Sequence, residues 1–289
     1  MRDYAILTDS GCDLPQEMVE SLGIGVAPMG FTIKEHAYRH YHDYRELSKE
    51  KFYEMIRGGE ISKTNGANVN DIMETMKEFL DKGKDILYLS FSSGMSGSCS
   101  NAFLAAREMS EDYPDATIKV VDTLCGSIGL GLITYLAMQK KKAGETLHQV
   151  AEWVEQNRLN VNHFFVVDDL QYIQRSGRIS HLTAIVGTVL GIRPLFTLCK
   201  EGKVNADGKV RGKKAAVRHM LMRAKEKCVD IKTFFICHGD VDDEAEALKA
   251  KILEEYPNAE VVINCVGPLL GTNTGPGALA LCFYGEERS

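Results

Sequence analysis

The sequence lacks several motifs that would assign a common chemistry to it. Its 8 cysteines include no CxxC pair and no regular spacing, which argues against a zinc knuckle and a redox motif. No GxxxxGK[ST] loop and no GxGxxG segment after a strand occurs, so binding of ATP or a dinucleotide by this chain is disfavoured. We therefore expect no cofactor, and unpaired thiols of this kind suit a reducing cytoplasm.

Clustered positive charge and long apolar runs are also scarce. The formal net charge is -6 and the densest basic cluster is short, at 211–214, which argues against a nucleic-acid partner. The most apolar stretch, 179–198, contains His181, Arg193, glycines and a proline, so no transmembrane segment is expected. The amino terminus lacks the apolar core of a signal peptide. Transient contact with a membrane is compatible with these features.

Short apolar runs alternate with helical runs in the first part of the chain. Each predicted strand is followed by a polar loop and then by a helix, and the strands are 4–7, 85–91 and 117–121. This pattern is typical of parallel βαβ units. Asp13 is expected to cap the first helix. Residues 1–160 are therefore predicted to form a Rossmann-like domain with a parallel sheet.

The second part of the chain has a different pattern. Predicted strands at 195–199 and 209–211 flank a turn at 205–208, which indicates antiparallel pairing. A last helix is expected after Gly277. Residues 161–289 are thus predicted to form a second α/β domain with a mixed sheet, and the chain is assigned to the α/β class with two domains.

Three loops rich in hydroxyl and amide side chains precede predicted helices, at 62–68, 92–98 and 271–277. The free N–H groups of a first helical turn, together with side-chain hydroxyls, suit an anion. Helix capping alone would explain any one of these loops equally well. Three of them in one chain favour an anionic head group.

The serines also allow a hydrolytic alternative. His238 and Asp240 follow a predicted strand and could serve Ser93 or Ser96 as the base and orienting group of a serine esterase or thioesterase. The segment 94–98 (GMSGS) does not have the register of the GxSxG nucleophile elbow, so no catalytic residue is assigned. A lipid-sensing regulatory protein is a further alternative.

Two other segments allow more than one interpretation. The run 36–44 (HAYRHYHDY) lacks the spacing of a metal site, so it is interpreted as a surface loop or edge strand and no metal is expected. In the predicted helix 182–190, Ala184, Gly187 and the following Gly191 leave one side almost without side chains. Either another helix or an acyl chain packs along that side.

Taken together, these motifs resemble the DegV family almost end to end. The matching stretches are ILTDSGCDLP (6–15), KTNGANV (63–69), LSFSSGMSGSCSNA (89–102), VVDTLCGS (120–127), LQYIQRSGRIS (170–180), KVRGKKAA (209–216) and GTNTGPGALAL (271–281). Their order and spacing carry the resemblance more than any single stretch does.

The resemblance implies that a fatty acid lies in a tunnel between the two domains, with its carboxylate held by hydroxyl groups. Similar proteins present the bound acid to a separate ATP-using kinase, which forms an acyl phosphate. By this resemblance Thr64 and Ser93 bind the carboxylate. Arg178 and Arg211 would lie near the head group and take part in the encounter with the kinase. Neighbouring loop residues complete the implied ligand-binding set: Asn65, Gly94, Ser96, Asn273 and Thr274.

Two positions depart from the family pattern. The loop at 64–68 reads TNGAN where the family usually has TSQPS, and Asn273 stands where many members have histidine. Asparagine donates a hydrogen bond but carries no positive charge at physiological pH. The resemblance therefore implies carboxylate binding more directly than it implies handover to a kinase.

Overall fold

The computed structural model describes residues 2–179 and 192–288. The predicted helix at 182–190 lies outside the described residues. The first elements are β1 (Tyr4–Asp9), α1 (Gln16–Leu22), β2 (Gly25–Ala27), β3 (Met29–Ile33), β4 (His36–His40), α2 (Lys49–Arg57), β5 (Ser62–Thr64), α3 (Val69–Leu80), β6 (Asp85–Ser90), α4 (Ser98–Asp112), β7 (Ile118–Asp122), α5 (Ser127–Lys142) and α6 (Leu147–Asn157). The later elements are β8 (Val161–Val166), α7 (Leu170–Ser176), β9 (Ile192–Leu198), β10 (Val204–Arg211), α8 (Lys213–Lys227), β11 (Thr233–His238), α9 (Asp242–Glu255), β12 (Glu260–Cys265), α10 (Pro268–Thr274) and β13 (Leu279–Tyr284).

The first sheet is parallel throughout, with strand order β2-β1-β6-β7. Successive side chains of β1 alternate between two cores, because Ile6 packs with α5 and α6 whereas Leu7 packs with α3 and α4. A parallel sheet covered by helices on both faces requires apolar residues on both sides of its strands. The predicted βαβ arrangement of this part of the chain is confirmed.

The second sheet is mixed, with strand order β10-β9-β8-β13-β11-β12. Only β11 and β12 run parallel, and the other neighbours are antiparallel. The predicted α/β fold with a parallel and a mixed sheet is thus confirmed. Helices α8 and α9 cover the outer face of this sheet, where Phe234 and Phe283 are fully buried.

Helix α5 lies between the two sheets and contacts strands of both. Its glycines permit this close packing, because a Cβ on Gly129 would lie 1.9 Å from Nε2 of His163 in β8. On the other side, a Cβ on Gly131 would lie 2.8 Å from the Cys12 carbonyl oxygen. Leu130, Leu132 and Ile133 are fully buried in the same core, and each contributes about 1.5–3 kcal/mol to folding.

The β9–β10 hairpin confirms the predicted antiparallel pairing but not the predicted turn. The chain turns at 199–203, where Gly202 has a φ of 69° and its N–H bonds to the Cys199 carbonyl oxygen at 2.9 Å. The expected turn at 205–208 lies within β10, where the pairing register shifts between Ala206 and Gly208. The Asn-Ala-Asp-Gly sequence accommodates a β-bulge there rather than a reversal of the chain.

The last element is strand β13, and the prediction of a helix after Gly277 is wrong. Gly275 and Gly277 adopt φ values of 72° and 83° around a proline, which ends α10. The apolar run that follows pairs on both sides within the second sheet. A short apolar run does not by itself distinguish a buried strand from a helix.

Asp13 does not cap the first helix. It has a φ of 49°, and α1 begins after Pro15 without a side-chain cap. The carboxylate is buried and accepts hydrogen bonds from Ser127 and Gly267 instead. The prediction was wrong because the local sequence gives no sign of these distant partners.

A small antiparallel sheet of order β4-β3-β5 completes the described fold. The histidine-rich segment forms its edge strand β4, which agrees with one of the two interpretations of that segment. Among the described helices, none combines the length and the apolar character needed to cross a membrane.

Candidate functional site

A cavity of about 130 Å³ lies between the loops of the first sheet, the start of α5, the inner face of the second sheet and helix α10. One water molecule needs roughly 10–15 Å³ of such space, so the cavity is large enough for a ligand. Its apolar lining comprises Met29, Phe91, Met95, Phe165, Ile173, Ile179, Leu198, Val204, Cys237, Val266, Leu269, Leu270, Ala278, Leu279, Ala280 and Cys282.

Six of the predicted site residues line this cavity: Thr64, Asn65, Ser96, Arg178, Asn273 and Thr274. They come from loops and elements that are far apart in the sequence but adjacent in space. Arg178 is exposed, whereas Thr64 and Ser96 are half-buried. The structure therefore combines, at one site, hydroxyl and amide donors from all three polar loops.

Thr64 is held in place by the small antiparallel sheet. It ends β5, opposite Phe31 of β3, and the next residue, Asn65, donates its N–H to the Gly30 carbonyl oxygen at 2.8 Å. Within the described residues the Thr64 hydroxyl has no hydrogen-bond partner in the protein. It is therefore available to a ligand.

The serine loop is joined to the Thr64 loop through Ser98. The Ser98 Oγ accepts a hydrogen bond from the Ala67 N–H at 2.9 Å and lies 2.8 Å from the Ser96 Oγ. A Cβ on Gly66 would come within 2.8 Å of the Ser98 Oγ, so this approach requires glycine at position 66.

The Ser96 hydroxyl has one hydrogen, which either Ser98 or a ligand can accept. The Ser96 Oγ accepts from the Ser98 N–H at 3.2 Å, and either hydroxyl can be the donor in the 2.8 Å contact between Ser96 and Ser98. A hydroxyl group has one hydrogen and two lone pairs. When the Ser98 hydroxyl donates to Ser96, the Ser96 O–H can donate to a ligand in the cavity.

Helix α10 brings Asn273 and Thr274 to the same cavity. The Thr272 Oγ lies 2.7 Å from the Ser62 Oγ and so attaches the helix to β5. The side chains of Asn273 and Thr274 donate to carbonyl oxygens of their own helix, at 3.2 and 3.0 Å. These residues form the last turn of α10, so this loop does not supply the helix N-terminus that was expected. Only the second amide hydrogen of Asn273 remains for a ligand.

Three predicted site residues do not line the cavity. The Ser93 side chain is exposed, and its N–H donates to Asp122 Oδ1 at 3.2 Å. Gly94 packs against the β9–β10 turn, because a Cβ there would lie 2.4 Å from the Glu201 carbonyl oxygen. Arg211 is exposed at the end of β10. The geometry therefore favours Ser96 over Ser93 as the partner of Thr64.

The arrangement needed for the hydrolytic alternative is not present in the described residues. His238 is buried, its Nδ1 accepts from the Val241 N–H at 3.1 Å, and burial lowers its pKa. Asp240 pairs with Arg57 rather than orienting this histidine. Neither Ser93 nor Ser96 hydrogen-bonds to His238 in this part of the chain. The described residues also contain no group of three or more His, Cys, Asp or Glu side chains suited to a metal ion.

The second sheet forms a wall of the cavity that was not predicted from the sequence. His163 and Phe165 of β8 lie on the face that lines the cavity, as do Ala280 and Cys282 of β13. Burial and the nearby Arg288 guanidinium lower the pKa of His163 to about 3, so its ring is neutral at physiological pH. Successive side chains of a strand point to opposite faces of its sheet, but the sequence does not show which face of β8 or β13 meets α5.

A groove with basic side chains adjoins the cavity. Lys63, Arg175 and Arg178 line it together with the hydroxyl groups of Ser62 and Thr272. Four residues line both spaces: Thr64, Ser176, Arg178 and Asn273. Glu60 also lines this groove, so the polar side of the cavity continues into a region where basic side chains outnumber acidic ones among the described residues.

Comparison with known proteins matches the whole chain to one family. Residues 3–286 match the family described as "Uncharacterised protein, DegV family". A DegV domain-containing protein of Clostridium perfringens is 35% identical over 290 residues, which cover 100% of this chain and 99% of the relative.

Two solved structures share the fold. A DegV family protein from Thermus thermophilus with fatty acid binding is 30% identical, has a TM-score of 0.87 and aligns over 99% of this chain and 100% of its own. A DegV lipid binding protein from Thermotoga maritima is 24% identical, with a TM-score of 0.87 and alignment over 99% of this chain and 100% of its own. The chain described here belongs to the DegV family.

Proposed function

We propose that this protein is a cytoplasmic carrier that buries a long-chain fatty acid in the cavity and presents its carboxylate to a separate kinase for acyl phosphate formation. The observation that carries the proposal is that Thr64, Ser96 and Asn273 lie together at a cavity whose lining is mostly apolar. Fatty acid binding by the Thermus thermophilus relative supports the same ligand class.

The head-group chemistry suits a carboxylate. A carboxylate taken out of water needs several donors to offset its desolvation. Thr64 offers a hydroxyl group whose hydrogen has no acceptor among the described residues. Ser96 offers its hydroxyl hydrogen when Ser98 donates to it, and Asn273 offers an amide hydrogen. Because none of these groups is charged, the carboxylate is held by hydrogen bonds, with Arg178 as the cation that lines the cavity beside them.

The apolar lining accounts for the tail. Transfer of each CH₂ group from water to an apolar wall contributes about 0.8 kcal/mol. A chain of many such groups therefore provides most of the affinity, and the donors at the head determine its orientation. This division predicts that a bound acid persists through purification.

The basic groove supports the proposed encounter with a kinase. A phosphoryl group added to the carboxylate brings further negative charge, and Lys63, Arg175 and Arg178 lie where the cavity continues outward. Asn273 cannot act as a proton donor of the histidine type. In this proposal the phosphoryl transfer chemistry therefore belongs to the partner, and this chain positions the acid.

The experiment is a reconstituted phosphorylation assay. The protein loaded with a long-chain fatty acid is mixed with ATP and the fatty acid kinase of the same organism, and acyl phosphate is trapped with hydroxylamine. Trapped acyl hydroxamate that requires both proteins is the expected result. If the acid is bound but no hydroxamate forms, the carrier role is wrong and a lipid-sensing role replaces it.

A further inference from the structure

Asp13 is a buried carboxylate that the proposed binding chemistry does not use directly. Its side chain is 3% exposed. One oxygen, Oδ1, accepts from the Gly267 N–H at 2.9 Å, and the other, Oδ2, accepts from the Ser127 hydroxyl at 2.6 Å. Its own carbonyl oxygen accepts from Asn264 Nδ2 at 2.8 Å. Asp13 therefore joins segments that are more than a hundred residues apart.

These contacts connect two walls of the cavity. Ser127 is the first residue of α5 and lines the cavity itself. Gly267 precedes α10, and the α10 residues Leu269, Leu270 and Asn273 also line the cavity. A change in how Asp13 holds Ser127 and Gly267 is thus transmitted to both helices that border the ligand.

Among the described residues the Asp13 carboxylate takes part in no ion pair, and its hydrogen-bond partners are Ser127 and Gly267. The ionisable groups that face it from the surrounding elements are acids: Asp9, Cys12, Tyr44, Tyr53, Cys237 and Cys265. His40 packs against Gly267 and is neutral, because burial lowers its pKa to about 3. Burial raises the pKa of Asp13 to about 7.

We propose that Asp13 is a positioning residue whose ionised carboxylate holds α5 and α10 in the arrangement that binds the ligand, so that affinity falls when this carboxylate takes up a proton. The inference rests on the proposed binding of a fatty acid.

The hydrogen-bond chemistry gives the direction of the effect. The Gly267 N–H can only donate, so it stays bonded to Oδ1 in either protonation state. A proton on Oδ2 that points at Ser127 makes the Ser127 Oγ the acceptor, and the Ser127 hydrogen then turns toward the Cys237 Sγ, 3.3 Å away. A neutral hydrogen bond replaces a charge-assisted one, which is roughly twice as strong, and the donor at the cavity wall is reoriented.

The test compares fatty acid dissociation constants of the wild type and Asp13→Asn between pH 5.5 and 8.5. The ratio of the two constants cancels the titration of the fatty acid itself. We expect the affinity of the wild type relative to Asp13→Asn to fall about fivefold or more as the pH falls, a typical size for coupling between two sites. Asp71→Asn is the control, because Asp71 is also 3% exposed but pairs with Arg39 outside the cavity lining.

Ser127→Ala provides a second, independent measurement. Its hydroxyl joins the Asp13 carboxylate to α5, so its loss is expected to reduce the pH-dependent change in affinity. If Asp13→Asn does not fold, this measurement decides the question. A wild-type pH profile in Asp13→Asn or in Ser127→Ala overturns the inference alone. A wild type that binds no fatty acid at any pH overturns the proposed function and this inference together.

Discussion

The Ser98 hydroxyl accepts a hydrogen bond from the Ala67 N–H at 2.9 Å, and this contact joins the serine loop to the loop that carries Thr64. Both residues are buried. The distance between the two hydroxyl groups proposed to hold the carboxylate is therefore set by a backbone donor and a side chain that do not line the cavity themselves.

Replacing Ser98 with alanine is expected to destabilise the protein. The Ala67 N–H would lose its partner while it stays buried, which costs about 1–3 kcal/mol. Urea unfolding of Ser98→Ala and of Ser100→Ala measures the difference, since Ser100 is exposed on the same helix. Equal unfolding free energies for the two variants would show that the loop junction does not need this hydrogen bond.

Single substitutions distinguish the contributions of the residues proposed to bind the carboxylate. Thr64→Val and Ser96→Ala are each expected to weaken fatty acid binding about 10-fold or more, because a hydrogen bond to a charged group contributes about 1.5–3 kcal/mol. Ser93→Ala is the matched control and should bind as the wild type does, since Ser93 lies outside the cavity lining. Isothermal titration with one acid gives all three constants. A loss confined to Ser93→Ala would contradict the assignment of Ser96.

The packing of α5 against β8 depends on Gly129. A Cβ at this position would lie 1.9 Å from Nε2 of His163, and such overpacking costs about 1–3 kcal/mol. Gly129→Ala is therefore expected to lower the free energy of unfolding, whereas Gly97→Ala, with no atom near its Cβ and a φ of -73°, is expected to change it little. In the double variant Gly129→Ala/His163→Ala the losses should be less than additive. Fully additive losses of unfolding free energy would show that Gly129→Ala does not act through a clash with His163.

The pH dependence of stability follows from Asp9. Burial raises its pKa to about 7, against 3.8 for an ordinary aspartate, despite hydrogen bonds from Gly11 and Phe91. Between these values the folded state holds a proton that the unfolded state releases, so the contribution of Asp9 to stability grows as the pH falls. The unfolding free energy of the wild type minus that of Asp9→Asn should rise by up to about 1.4 kcal/mol per pH unit from pH 7 toward pH 4. Urea titrations at several pH values measure this difference, and a flat difference would contradict the raised pKa.

Much of the fold followed from local pattern. Strands such as β1 and β6 end at polar loops, and the helices after them show the expected spacing, so the parallel sheet was predictable. The element after Gly277 was not, because a short apolar run fits a buried strand or a helix equally well. The hairpin turn was misplaced because Asn-Ala-Asp-Gly suits a bulge as well as a turn, and the sequence does not show register.

The site was predictable at the level of loops but not of individual side chains. Thr64, Ser96 and Asn273 were predicted because hydroxyl and amide groups cluster in loops, and the structure brings them to one cavity; their role in binding stays a prediction. The choice between Ser93 and Ser96 depends on how the loop coils before α4, which composition does not reveal. His163 was missed because its role as cavity wall depends on which face of β8 meets a distant helix.

The most direct test of the account is native mass spectrometry of the intact, purified protein, followed by analysis of its organic extract. We expect a mass excess that corresponds to one acyl carboxylate per chain, and recovery of that acid in the extract. In Thr64→Val/Ser96→Ala the occupancy should fall. A protein that carries no acyl carboxylate and takes none up when a long-chain fatty acid is added would contradict the proposed function.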